Sequence, residues 1–85
     1  MNCNEAVKLK PDSVRAYLYR GALKYNIRAY ELTIKDLTKA TVIDKKCALA
    51  YFNRAVCYHD SKQYQKALTD YGIVLLLGDQ LMLKV

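Results

Sequence analysis

The sequence predicts an all-α fold of antiparallel helix pairs, and three observations predict it. An offset of 34, which carries Ala16 onto Ala50, lays residues 11–44 on residues 45–78 with five identities and many similar pairs. Within each copy, apolar residues recur at spacings of three and four, which places them on one face of a helix. Only one Pro and three Gly occur in 85 residues, too few for a turn-rich β fold.

The offset superimposes Ala16 on Ala50, Tyr17 on Tyr51, Arg20 on Arg54, Tyr30 on Tyr64 and Asp36 on Asp70. Similar residues fill the gaps: Gly21 with Ala55, Tyr25 with His59, Ile34 with Leu68, Leu37 with Tyr71. Upstream, Ala6 falls on Ala40 and Leu9 on Ile43. The resulting division is the second helix of an incomplete preceding unit over 1–10, units over 11–44 and 45–78, and the start of a following unit or a capping segment over 79–85. Units of this kind contact only their neighbours, so the incomplete ends lead us to expect a longer parent protein.

Each unit divides into two helices. Pro11-Asp12-Ser13 is a start signal, with Asp12 or Ser13 as N-cap. The first helix is expected from about Ser13 to Asn26 and the second from Tyr30 to Ile43. In the second unit Leu49, Ala50, Phe52, Ala55, Val56, Cys57 and Tyr58 surround much of one cylinder, as a sandwiched helix requires. His59-Asp60-Ser61-Lys62 breaks that pattern with turn-prone residues. Tyr64, Ala67, Leu68, Tyr71, Val74 and Leu75 resume it, and Gly78 is expected to close the helix in a left-handed conformation. Arg20 and Asp36 stand on paired helices at the same separation as Arg54 and Asp70, so each couple is expected to form a charge-assisted bond within its unit.

With these residues in place the sequence resembles the tetratricopeptide-repeat family, whose units are about 34 residues long with two helices each. Its pattern is Trp-x2-Leu-Gly-x2-Tyr, then Ala-x3-Phe, then Pro. The second unit gives Tyr51-x2-Arg54-Ala55-x2-Tyr58, Ala67-x3-Tyr71 and Asp79. The first gives Tyr17-x2-Arg20-Gly21-x2-Lys24, Thr33-x3-Leu37 and Lys45. Small residues recur where the helices of a pair must approach closely, at Gly21, Ala40, Ala55 and Ala67. Lys24, Thr33, Lys45 and Asp79 depart from the pattern. The resemblance implies a right-handed superhelix, a scaffold or adaptor that holds a partner's peptide or helix on its concave face.

Carried over residue by residue, that face holds Arg15, Leu18, Tyr19, Ala22 and Tyr25 from the first unit, and Leu49, Phe52, Asn53, Val56 and His59 from the second. The spacings of three, four and seven put each set on one stripe. The family's carboxylate clamp, which holds the acidic tail of a chaperone in co-chaperones, finds only Asn53 here. Leu18 and Ala22 stand where its Lys and first Asn belong. Base-reading RNA-binding repeats usually have a period of about 35 and would place cations on the stripe. Arg15 is the only one there.

The remaining composition sets limits. The net charge of +6 is scattered rather than run together, the pattern of a solvated outer face. Cys3, Cys47 and Cys57 form no CxxC pair and read as free thiols, which suit a reducing cytoplasmic or nuclear compartment. No apolar run approaches membrane-spanning length. His59 beside Asp60 reads as a polar turn rather than a base and its orienter. No catalytic group, cofactor or metal is expected. Partners are expected to be proteins rather than nucleic acid or membrane. Self-association is also expected through the C-terminal helix, where Ile73-Val74-Leu75-Leu76-Leu77 is apolar all round.

Overall fold

The computed structural model describes residues 13–83, and they form four helices. These are α1 (Val14–Asn26), α2 (Tyr30–Ile43), α3 (Ala48–Asp60) and α4 (Tyr64–Leu83). Each helix packs on the next in chain order, giving two helix hairpins with α2 and α3 joined between them. The fold is all-α, as the repetition predicts. The expected helix over residues 1–10, Asp12 as a cap, and Cys3 lie outside the described residues.

Ser13 caps α1. Its backbone is extended and its Oγ accepts a bond from the Ala16 N–H at 3.0 Å, which satisfies one of the first-turn donors. The ends of α1 and α3 are built alike. Arg28 and Lys62, one repeat apart, are the two non-glycine residues with positive φ among the described residues, at 62° and 67°. After α1 the Ala29 N–H donates to the Lys24 carbonyl and the Arg28 N–H to Tyr25. After α3, Gln63 donates to Tyr58 and Lys62 to His59 in the same pattern. This is the Schellman closure, in which a left-handed residue returns two N–H groups to the last helical carbonyls.

Two local expectations are corrected. His59 and Asp60 belong to α3, and the turn begins at Ser61. Gly78 does not close α4, which continues through it to Leu83. No glycine in the described residues has positive φ, so Gly78 is an ordinary helical residue. The strong helix formers Gln80, Leu81, Met82 and Leu83 follow, and they offset a glycine cost of about 1 kcal/mol. Residues 79–83 therefore extend α4 instead of opening a separate helix.

The core is made of small side chains. Ala16, Ala40, Ala50 and Ala55 are wholly buried, with Leu37, Cys57 and Ala67 beside them. A Cβ added to Gly21 would lie 3.3 Å from Leu37 Cδ2, so α1 and α2 touch almost backbone to side chain. Thr33, on α2, donates its hydroxyl to the carbonyls of Ala29 (3.0 Å) and Gly21 (3.3 Å). Its polar atom is satisfied although the residue is buried.

The expected ionic couples also form inside their units, with unequal quality. Arg54 Nε and Nη2 donate to the two Asp70 carboxylate oxygens at 2.7 and 2.8 Å. Arg20 Nη2 stands 3.8 Å from Asp36 Oδ1, and Lys24 Nζ is 2.8 Å from Oδ2. Both aspartates are buried. Cys57 is buried and Cys47 half-buried, both as free thiols. Among the described residues no helix is long and apolar enough to cross a membrane.

Candidate functional site

A hollow of about 160 Å³ opens between the first helices of the two units. Gly21, Ala22, Tyr25 and Asn26 of α1 form one wall and Asn53 and Val56 of α3 the other, with Thr33 and Leu37 of α2 as the floor. Ala22, Tyr25 and Asn26 fall at spacings of three and four and so share one stripe of α1. Asn53 and Val56 do the same on α3. Gly21 and Ala22 give the hollow its depth, because a larger side chain at either place would fill it.

Its chemistry is apolar with a few polar groups at the rim. The amides of Asn26 and Asn53 can each donate and accept. Tyr25 donates its phenolic proton to the Asp60 carboxylate, which joins the end of α1 to the end of α3 across the unit boundary. The bond holds the Tyr25 phenol protonated, and with partial burial it raises the pKa to about 12. Tyr25 also packs on Tyr30, with ring centroids 5.8 Å apart.

Of the residues carried over from the sequence, Ala22, Tyr25, Asn53 and Val56 converge on this hollow. Phe52 and His59 lie on an adjoining stripe of α3 that turns toward α4. Phe52 makes an edge contact with Tyr71 at 6.0 Å, and His59 one with Tyr64 at 5.4 Å. Arg15 and Leu49 are exposed, and Leu18 and Tyr19 are half-buried; none of the four lines the hollow. Asn26, Thr33, Leu37 and Asp60 are not among the contact residues that the resemblance implies. The floor comes from a second helix, and a stripe drawn on first helices passes over it.

Comparison with known proteins adds the family. No family model matches the chain. Over 61 residues it is 49% identical to human "Tetratricopeptide repeat protein 6", covering 72% of this chain and 11% of that protein. The chain belongs to the tetratricopeptide-repeat family. It is also 34% identical over 71 residues to human and mouse "DnaJ homolog subfamily C member 7", covering 79% of this chain. The matches span about a ninth to a seventh of those relatives, 11% and 14% of their lengths.

The departures from the repeat pattern acquire physical reasons in the fold. Lys24 stands where the family has an aromatic, and it supplies the nearest cation to Asp36. Thr33 stands where the family has alanine, across from Gly21 rather than a residue with a side chain. In the second unit the equivalent positions are Ala55 and Ala67, and both are buried.

Proposed function

We propose that this tetratricopeptide-repeat chain is a non-catalytic protein-binding module that takes a segment of a partner protein along the groove between α1 and α3. The observation that carries this reading is the hollow itself: an apolar floor, small walls and two asparagine amides, set between the first helices of consecutive units. Concave apolar sites with a few convergent polar groups are the usual form of binding pockets. Beyond the hollow stand the half-exposed Leu18 and Tyr19 and the exposed Arg15 and Leu49, with the exposed Phe52 and His59 on the adjoining stripe of α3. We propose all ten residues as the contact surface, with Ala22, Tyr25, Asn53 and Val56 at its centre. The free thiols of Cys47 and Cys57 support a reducing compartment, the cytoplasm or nucleus.

The test is selection of random displayed peptides on the immobilised chain, followed by titration of the enriched sequences. Val56→Glu should weaken binding by more than about tenfold, since it puts a charge where apolar surface is covered. Lys45→Ala, on the exposed turn before α3, should leave it unchanged. Failure to enrich any peptide, or equal binding by Val56→Glu, overturns the reading.

A further inference from the structure

The hollow between α1 and α3 lies in the first unit, where two positions carry smaller side chains than their counterparts. Ala22 and Leu37 stand where the second unit has Val56 and Tyr71. In the second unit the Tyr71 ring meets Phe52 edge-on, 6.0 Å between centroids, whereas the floor of the hollow is Leu37 and Thr33. The open space is about 160 Å³. An apolar cavity of about 150 Å³ is enough to hold one benzene molecule.

The walls are fixed before anything enters. Tyr25 is held twice, its ring packed on Tyr30 and its hydroxyl bonded to Asp60. At the floor the Thr33 hydroxyl is already bonded to the carbonyls of Ala29 and Gly21. The described residues that line the hollow are all uncharged. A carboxylate or ammonium placed there would lose its hydration and gain no countercharge. An aromatic ring would instead find the Tyr25 ring as a neighbour, and aromatic pairs attract beyond the area they bury. A phenol would carry its hydroxyl down to Leu37 and the occupied Thr33, where it costs a hydrogen bond.

Resting on the groove's role as a peptide-binding surface, we propose that the hollow seats one phenylalanine side chain of the partner segment as its anchor. The ring enters between Ala22 and Val56, lies against Tyr25 and ends on Leu37. The segment's backbone then passes over the rim, within reach of the Asn26 and Asn53 amides. Leucine fills the same space without the aromatic contact, tyrosine leaves its hydroxyl unpaired, and the two rings of tryptophan exceed the volume.

Position-by-position substitution of a peptide enriched on the immobilised chain tests it. Replacing its phenylalanine by alanine should weaken binding roughly ten- to a hundredfold. Tyrosine should weaken it roughly tenfold and leucine about threefold. Ala22→Leu, at an exposed site of α1, fills the hollow from its own wall, and circular dichroism confirms that it folds. That variant should bind the phenylalanine and alanine peptides equally. In methyl NMR spectra of the wild type, the phenylalanine peptide should shift the Leu37 and Val56 signals by ring current, and its leucine version should not. Failure to enrich any peptide overturns the groove and the anchor together. Peptides that Val56→Glu releases, but that contain no phenylalanine or tolerate alanine in its place, leave the groove standing and overturn the anchor alone. So does an Ala22→Leu variant that still prefers phenylalanine, or methyl signals that do not distinguish the two peptides.

Discussion

In the second helix pair Asp70 receives two charge-assisted hydrogen bonds from Arg54, whereas in the first Asp36 has Arg20 at 3.8 Å and Lys24 at 2.8 Å. The difference begins one helical turn away. Arg54 is held between two rings, 5.5 Å from the centroid of Tyr51 and 5.9 Å from that of Tyr58, while Arg20 has only Tyr17, at 5.5 Å. The second ring is missing because Lys24 stands in the place of Tyr58. Without it the guanidinium is less confined: the Arg20 side chain is 37% exposed and that of Arg54 15%. An ammonium is a point charge that needs no fixed plane, so Lys24 takes the carboxylate that a confined guanidinium would grip in two places. Asp36 Oδ2 receives no well-directed hydrogen bond, and its contact with Lys24 is an ion pair. Repetition of a residue pair thus preserves the couple only if the residues that orient it repeat as well.

The comparison breaks hardest at the arginines. Arg54→Ala leaves Asp70 buried with no cation and should cost roughly 3–5 kcal/mol by denaturant unfolding. Arg20→Ala leaves Asp36 paired with Lys24 and should cost no more than about 1 kcal/mol. Equal losses would show that the two couples are equivalent in solution. Lys24→Tyr sharpens the point by giving Arg20 its second ring. In that background Arg20→Ala should become about as costly as Arg54→Ala, a coupling that a double-mutant cycle reads directly.

A smaller contrast lies at the helix contact. Ala55→Gly removes a wholly buried methyl group and adds backbone freedom, and it should destabilise by about 1–2 kcal/mol. Gly21→Ala gains about 1 kcal/mol of helix propensity. It also sets a methyl 3.3 Å from Leu37 Cδ2, where a modest shift of that side chain costs a similar amount. The net change should lie within about 1 kcal/mol of zero. A loss as large as that of Ala55→Gly would mean that α2 cannot give way.

Features that occur twice were legible in the sequence. The helix spans of the first unit, the small-residue seam and the arginine–aspartate couples each recur one repeat on, and a second copy separates signal from accident. The twin left-handed residues Arg28 and Lys62 repeat as well, but neither is a residue type that advertises the conformation. Contacts between units were not legible, because a chain with two units makes them once. Tyr25 with Asp60 is such a contact, and Arg54 with Thr38 another. The end of α4 was misread for a different reason. Gly78 permits a left-handed stop, but nothing in the fold requires one there.

The smallest expected effect concerns the one bond that crosses from α1 to α3 at the rim of the groove. Tyr25 and His59 are equivalent positions, and each packs on the tyrosine that opens the following helix, Tyr30 or Tyr64. Only Tyr25 gives a proton to the carboxylate of the next unit. That bond favours the neutral phenol in the folded state, raising its pKa from 10.0 to about 12. The stabilisation is therefore complete below pH 10, where the unfolded chain also keeps the proton. It is lost as pH rises from about 10 to 12, because the unfolded chain then releases a proton that the folded one still holds. Tyrosine absorbance followed to high pH should contain a component titrating near 12 that Tyr25→Phe removes. Asp60→Asn should move that component back toward the ordinary range, since the partner no longer carries a charge. Tyr25→His, which copies the second unit's residue, should leave the helix signal intact while flattening the alkaline slope of stability between about pH 10 and 12. Superimposable titrations of the wild type and Tyr25→Phe would show that α1 and α3 are not tied at this point, and that the groove's rim is free to widen.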